Sequence, residues 1–170
     1  MNDEEKMRWK FQRYMQDYLA TISSIDDNVG RVLDYLDNNN LTENTIVVYT
    51  SDQGFYLGEH GWYDKRFIYD ESFKTPLMIR WPNKIKPGIS SEEMVQNLDF
   101  AQTFLEAAMI SAPSDMQGES LIPLMTGENS KWTRESVYYH YYEYPSVHMV
   151  KRHYGIVNKE YKLAHFYYDV

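Results

Sequence analysis

Thr45–Glu71 reads TIVVYTSDQGFYLGEHGWYDKRFIYDE. It opens as an apolar, β-branched run, Ile46-Val47-Val48-Tyr49, and breaks at Ser51-Asp52-Gln53-Gly54 into a long polar loop. A strand that ends in such a loop is how an α/β fold presents chemistry, because packing fixes the side chains at its carboxyl end. Asp52 and Gln53 offer oxygen ligands to a hard cation. Lys65 and Arg66 offer positive charge to an anion. Each signal has a plainer reading. Asp-x-Gly is ordinarily a turn, His60 between Glu59 and Gly61 reads as a loop residue, and Asp64-Lys65-Arg66 reads as a solvated charge run. Their order on one loop raises them above those readings.

On either side of this loop the chain alternates. Glu4 to Asn38 carries apolar residues at Met7, Phe11, Tyr14, Tyr18, Ile22, Ile25, Val29, Val32, Leu33 and Leu36, steps of three and four that predict a helix with one buried face. Asp26-Asp27-Asn28 lies within it, and on a helix these side chains diverge, so they are surface residues rather than a metal cluster. Asn38-Asn39-Asn40 ends the helix. Pro76 to Pro82 predicts a second buried strand, and Leu98 to Ile110 a short helix with Asn97 or Asp99 near its start. Helix, strand, loop, strand, helix predicts an α/β fold with a mainly parallel sheet and flanking helices. Beyond it the pattern turns aromatic and alternating: Val137–Tyr142, Tyr154–Val157 and Tyr161–Phe166, the last two joined through Asn158-Lys159-Glu160 as a hairpin.

Composition bounds the function. The net charge of −8 argues against nucleic acid as the main partner, although a local cation and two cationic side chains still suit a small anionic substrate. With no cysteine there is no disulfide and no thiolate metal site. No membrane span or leader is visible in the sequence.

SDQGFYLGEHGWYDKRFIYDES resembles the second active-site segment of the type I, formylglycine-dependent sulfatases of the alkaline phosphatase superfamily. LDFAQTFLEAAMI resembles that family's helix after the sheet, and MQGESLIPLMTGE its G-x-S-L-x-P-L-x-x-G run. The resemblance covers nearly the whole chain. It implies that Asp52 and Gln53 are calcium ligands and that Lys65 contacts sulfate. Asp64-Lys65-Arg66, followed by Tyr69 and an acid, is similar to the N-acetylglucosamine-6-sulfatases. There the acid and arginine grip sugar hydroxyls with help from a histidine of the small antiparallel carboxy-terminal subdomain, a role that falls to His148. The implied domains are 1–130, the carboxy-terminal part of the α/β domain, and 131–170, the start of the small subdomain.

The implied chemistry is hydrolysis of a sulfate monoester on a sulfated carbohydrate, in a periplasmic or secreted setting. The formylglycine comes from a Cys/Ser-x-Pro-x-Arg motif. Ser111-Ala112-Pro113-Ser114-Asp115 imitates its start but has Asp115 where arginine is required, so the nucleophile is expected upstream, the calcium site is incomplete, and the chain alone is expected to be inactive. Two other readings stand beside this one. A phosphodiesterase-like member of the superfamily would carry two transition metals, for which Gln53 is a poor ligand. A non-catalytic glycan-binding fragment needs no nucleophile.

Overall fold

The computed structural model describes residues 1–128 and 132–167. These fall into two compact units, 1–47 and 48–170. The expected domain boundary at 130/131 lies outside the described residues.

The first unit is a single long helix, α1 (Asp3–Asn38), and a short 3₁₀ turn at Thr42–Asn44. Its start follows from a capping box: Glu5 N–H donates to Asn2 Oδ1 at 2.9 Å, and Asn2 N–H donates to Glu5 Oε2 at 3.0 Å. The helix runs where the periodicity predicts it, but its apolar face is at most half-buried, at Tyr14, Tyr18, Val29, Leu33 and Leu36. No α1 residue is buried, and Met7 and Val32 are 66% and 59% exposed. A unit made of one helix and one turn holds no second surface against which the stripe could pack.

In the second unit β1 (Val47–Thr50) pairs with β2 (Leu77–Arg80) as a two-stranded sheet. Both strands were expected to be buried. They are mostly half-buried, with Tyr49 and Met78 exposed, because two strands alone leave the sheet faces largely open. Between them run a 3₁₀ turn at Glu59–Gly61 and the single-turn α2 (Asp70–Phe73). His60 sits in that turn with positive φ, stacked on Tyr69 at 4.6 Å, which is the loop role its neighbours predict.

The next helix, α3 (Asp99–Ala107), buries polar residues: Asp99, Gln102 and Thr103 are buried, while Phe100 and Leu105 are half-buried and Phe104 is about half exposed. Asp99 and Thr103 are satisfied by bonding, while the buried Gln102 Oε1 has no hydrogen-bond partner among the described residues. Asp99 accepts from the backbone N–H of Gln96 (2.7 Å) and Glu119 (2.9 Å) and pairs with the buried Arg134, whose Nη2 lies 2.7 Å from Oδ1. Thr103 Oγ1 donates to Asp99 O and accepts from Leu121 N–H.

That network explains the G-x-S-L-x-P-L-x-x-G run physically. Gly118 passes so close to the Leu98 carbonyl that a side chain there would overlap it. Leu121 and Leu124 are buried, Pro123 opens α4 (Ile122–Thr126), and Gly127 closes it with left-handed φ.

The small sheet is antiparallel in the order β3 (Val137–Tyr141), β4 (His153–Val157), β5 (Lys162–Phe166). Its hairpin turn forms at Asn158, whose Oδ1 accepts the Glu160 N–H at 2.9 Å. The alternation along β4 puts His153, Gly155 and Val157 inward. Gly155 is required there, since a Cβ would overlap the Leu163 backbone carbonyl, and it would also lie 2.6 Å from Ile68 Cδ1. The inner face of the sheet therefore seats directly on the polar loop.

Candidate functional site

The loop after β1 has no regular structure between Gln53 and Tyr69 apart from the 3₁₀ turn, yet its central carbonyls are all held. Tyr56 N–H donates to Asp64 O (2.8 Å), Gln53 Nε2 to Lys65 O (3.1 Å), Tyr139 Oη to Arg66 O (2.6 Å) and Tyr56 Oη to Phe67 O (3.0 Å). Burial pushes the Tyr56 and Tyr139 hydroxyls up to about 12, so both remain protonated donors. Gly54 N–H and Phe55 N–H donate to Ser72 O and Glu71 O, which extends the pairing past the end of β1. This close approach demands glycine, as a Cβ on residue 54 would meet the Lys74 carbonyl at 2.7 Å.

On this frame Asp64, Arg66 and His148 converge. Arg66 Nη1 pairs with Asp64, and Arg66 Nη2 lies 2.6 Å from His148 Nε2. Guanidinium only donates, so His148 accepts through Nε2 and carries its proton on Nδ1. The three residues thus form one connected polar cluster across a separation of 82 residues. Tyr141 Oη donates to Glu143 Oε2 at 3.2 Å, and burial together with that carboxylate raises its hydroxyl. Lys65 is exposed, with no ion pair among the described residues.

Asp52 and Gln53 stand at the end of β1 and line a cleft of about 1070 Å³ that extends toward Glu93, Asn97 and Lys159. Lys65, Arg66 and His148 are not on its walls, and Gln53 joins the cleft to the triplet through its bond to Lys65 O. The Asp52 carbonyl is fixed by Asn97 Nδ2 at 3.0 Å, and its carboxylate is exposed. Gln53 spends its amide nitrogen on Lys65 O, Ser72 O (2.7 Å) and Ser72 Oγ (3.1 Å), while its amide oxygen makes no hydrogen bond among the described residues. A carboxylate and an uncommitted amide oxygen fit a hard divalent cation. They are two donors and not a cage, and no group of three His, Cys, Asp or Glu among the described residues could hold a metal.

Sequence reasoning missed Ser72, Tyr139, Tyr141 and Asn97. Ser72 directly follows Asp70-Glu71 and reads as part of a charged turn. The tyrosines read as sheet packing, because alternation reports the face of a side chain and not what its hydroxyl reaches.

Comparison with known proteins gives these residues a context. A profile of the sulfatases matches residues 1–110, and one for the carboxy-terminal part of N-sulphoglucosamine sulphohydrolase matches 58–170. An N-acetylglucosamine-6-O-sulfatase of Bacteroides thetaiotaomicron is 54% identical over 95% of this chain, which spans 29% of that protein's length. A solved structure of a protein in complex with its substrate D-glucosamine-2-N,6-O-disulfate superposes with a TM-score of 0.91 at 55% identity, covering 95% of this chain and 33% of the other. A phosphonate monoester hydrolase from Silicibacter pomeroyi superposes at 0.74 with 27% identity, over 83% and 30%. The architecture is therefore the α/β type that the helix–strand alternation predicts, with the small antiparallel subdomain at its end. The two profiles overlap across 58–110, the stretch that carries Asp64, Lys65 and Arg66, and between them they take in every element from α1 to β5: the chain belongs to the sulfatase family.

Proposed function

We propose that this chain forms the sulfate- and sugar-facing part of a sulfuric ester hydrolase that acts on 6-O-sulfated N-acetylglucosamine in glycans. The observation that carries this reading is the convergence of Asp64, Arg66 and His148 beside Lys65. The carboxylate accepts sugar hydroxyl protons, the guanidinium donates to hydroxyl or ring oxygens, and the Lys65 ammonium offers its N–H donors to sulfate oxygens. The pair with Asp64 and the contact with His148 set the plane of Arg66 before substrate arrives, which reduces the ordering cost of binding. The name of the 54% identical relative supports the same substrate class.

Asp52 and Gln53 would hold calcium through the carboxylate and the amide oxygen. When bound, the ion stabilises negative charge on sulfuryl oxygens. The formylglycine does not fit here. The chain has no cysteine, and Ser111–Asp115 is an exposed loop after α3 that lacks the required arginine. Within a sulfatase the nucleophile would come from outside this stretch. No helix among the described residues is long and apolar enough to cross a membrane, and the periplasmic or secreted setting implied by the family is part of the same proposal.

The test is calorimetric titration of the chain with N-acetylglucosamine 6-sulfate. Lys65→Ala and Arg66→Ala should each weaken binding by about 1.5–3 kcal/mol, the worth of a hydrogen bond to a charged group. Unaltered binding in both variants would remove the reading. The chain alone should release no sulfate from a synthetic sulfate ester, and sustained turnover would overturn the division of labour. The likeness to a phosphonate monoester hydrolase favours a second reading, hydrolysis of a phosphorus ester. A titration that prefers N-acetylglucosamine 6-phosphate to the 6-sulfate would support it.

A further inference from the structure

Lys65 is the one cation of the Asp64-Lys65-Arg66 triplet without an ion-pair partner among the described residues. Its exposed side chain has four rotatable bonds, so its starting direction depends on the backbone beneath it. The carbonyls before and after its own are held by Tyr56 and Tyr139, and its own carbonyl is held by a side chain that also faces the cleft, Gln53. The Gln53 amide nitrogen has two protons for three acceptors, Lys65 O at 3.1 Å, Ser72 O at 2.7 Å and Ser72 Oγ at 3.1 Å. Two of these are carbonyl oxygens, which only accept, so the amide orientation is fixed by chemistry. Ser72 is 1% exposed, so the anchor is internal and dry.

We propose that Gln53 is a positioning residue for Lys65, its amide nitrogen tethering the lysine backbone to the buried Ser72 turn while its amide oxygen stays free for a ligand. This rests on the reading of Lys65 as the sulfate contact. It assigns Gln53 a second task, and it explains why the longer amide suits this position. Asparagine lacks the methylene that lets the nitrogen span from the end of β1 to both Lys65 and Ser72.

The test uses the 170-residue chain, N-acetylglucosamine 6-sulfate and unsulfated N-acetylglucosamine. Gln53→Glu keeps an oxygen for a cation but turns a carboxylate oxygen toward two carbonyls. It should lower the preference for the sulfated sugar roughly tenfold, the equivalent of one hydrogen bond. The backbone amide of Arg66 shares the Lys65 peptide plane, so its ¹H–¹⁵N resonance should move. Placed on Lys65→Ala, the same substitution should cause no further loss of sulfate preference, since the tether then has nothing to aim. Gln53→Asn, which keeps the amide and shortens the reach, should reproduce the loss in a fold free of carboxylate repulsion.

An equal weakening of both sugars, or an undiminished further loss of preference in the Lys65→Ala background, would make Gln53 a merely structural residue and overturn the inference. Retained sulfate preference in Lys65→Ala alone would overturn the sulfate-contact reading and the inference with it. A clear loss in Lys65→Ala beside an unchanged Gln53→Glu and Gln53→Asn would leave that reading standing and overturn only the tether.

Discussion

Arg66 is satisfied on three sides, by Asp64, His148 and, at its carbonyl, Tyr139. A planar fork makes the first two contacts at once, and an ammonium group does not. Arg66→Lys should therefore weaken N-acetylglucosamine 6-sulfate by about 1.5–3 kcal/mol, despite keeping the charge. Titration calorimetry reads this directly, and parity with the parent chain would mean that the fork geometry is irrelevant to the sugar. Gly54→Ala tests the frame below. The added methyl overlaps the Glu71 carbonyl and presses on that of Lys74, so urea unfolding should show a loss of about 1–3 kcal/mol, typical of overpacking. At this scale the sequence was readable where a residue type implies one chemistry: Asp52, Lys65 and Arg66 declare themselves by charge. It was mute where the chemistry depends on reach. Nothing local tells that the Gln53 nitrogen meets a residue nineteen positions on, or that Tyr139 tethers Arg66 across seventy-three.

Among the elements, α3 shows what periodicity alone leaves out. The sequence predicts a short helix here, and its buried side carries Asp99 and Thr103 in a bonded network beside Gln102, whose Oε1 has no hydrogen-bond partner among the described residues. Such a network is costly to break by halves. Asp99→Ala would remove the main partner of Arg134, which is held above its ordinary value by that carboxylate and is 7% exposed along its side chain, leaving it the more distant Glu119 carboxylate at 3.5 Å. The expected loss is about 3–5 kcal/mol in chemical denaturation, and a loss below 1 kcal/mol would show that water reaches Arg134 freely.

The small sheet fared better from sequence, because alternation and an Asn-initiated turn are local signals that tertiary context did not override. Its inner face adds a pH dependence. His153 is fully buried, stacked on Phe166 at 4.8 Å, and donates Nδ1–H to Lys151 O, with Nε2 unpartnered. Burial holds its imidazolium form down, the Lys151 carbonyl opposes this, and His140 adds to it. The folded value thus lies below the unfolded value of about 6.5. As pH falls through 6.5 the unfolded chain takes up a proton that the folded chain resists, so stability should decline from pH 7 toward pH 5. His153→Phe preserves the ring stack and should flatten that slope in thermal melts, whereas an unchanged slope would assign the dependence to other groups.

For the molecule as a whole, the two units differ in what holds them. The second unit buries Tyr56, Ile68, Leu121, Leu124, Val137, Val150 and Val157, and it joins the site loop to the small sheet through hydrogen bonds and apolar contact. The first unit buries nothing. Its 36-residue helix has a capping box and surface pairs such as Arg8–Glu4 and Arg13–Asp17, each worth about 0.2–0.5 kcal/mol. Helical propensity and such pairs leave an unpacked helix marginal in water, since most helix stability in proteins comes from a buried apolar face. The amides of α1 should therefore exchange with solvent orders of magnitude faster than those of β4, whose opening requires disruption of the core around His153 and Val157. Hydrogen exchange read by mass spectrometry on the dilute chain separates the two. Equal protection of α1 and β4 would mean that the stripe from Met7 to Val32 is covered in solution, and a rise in α1 protection with protein concentration would identify the cover as a second copy of the chain.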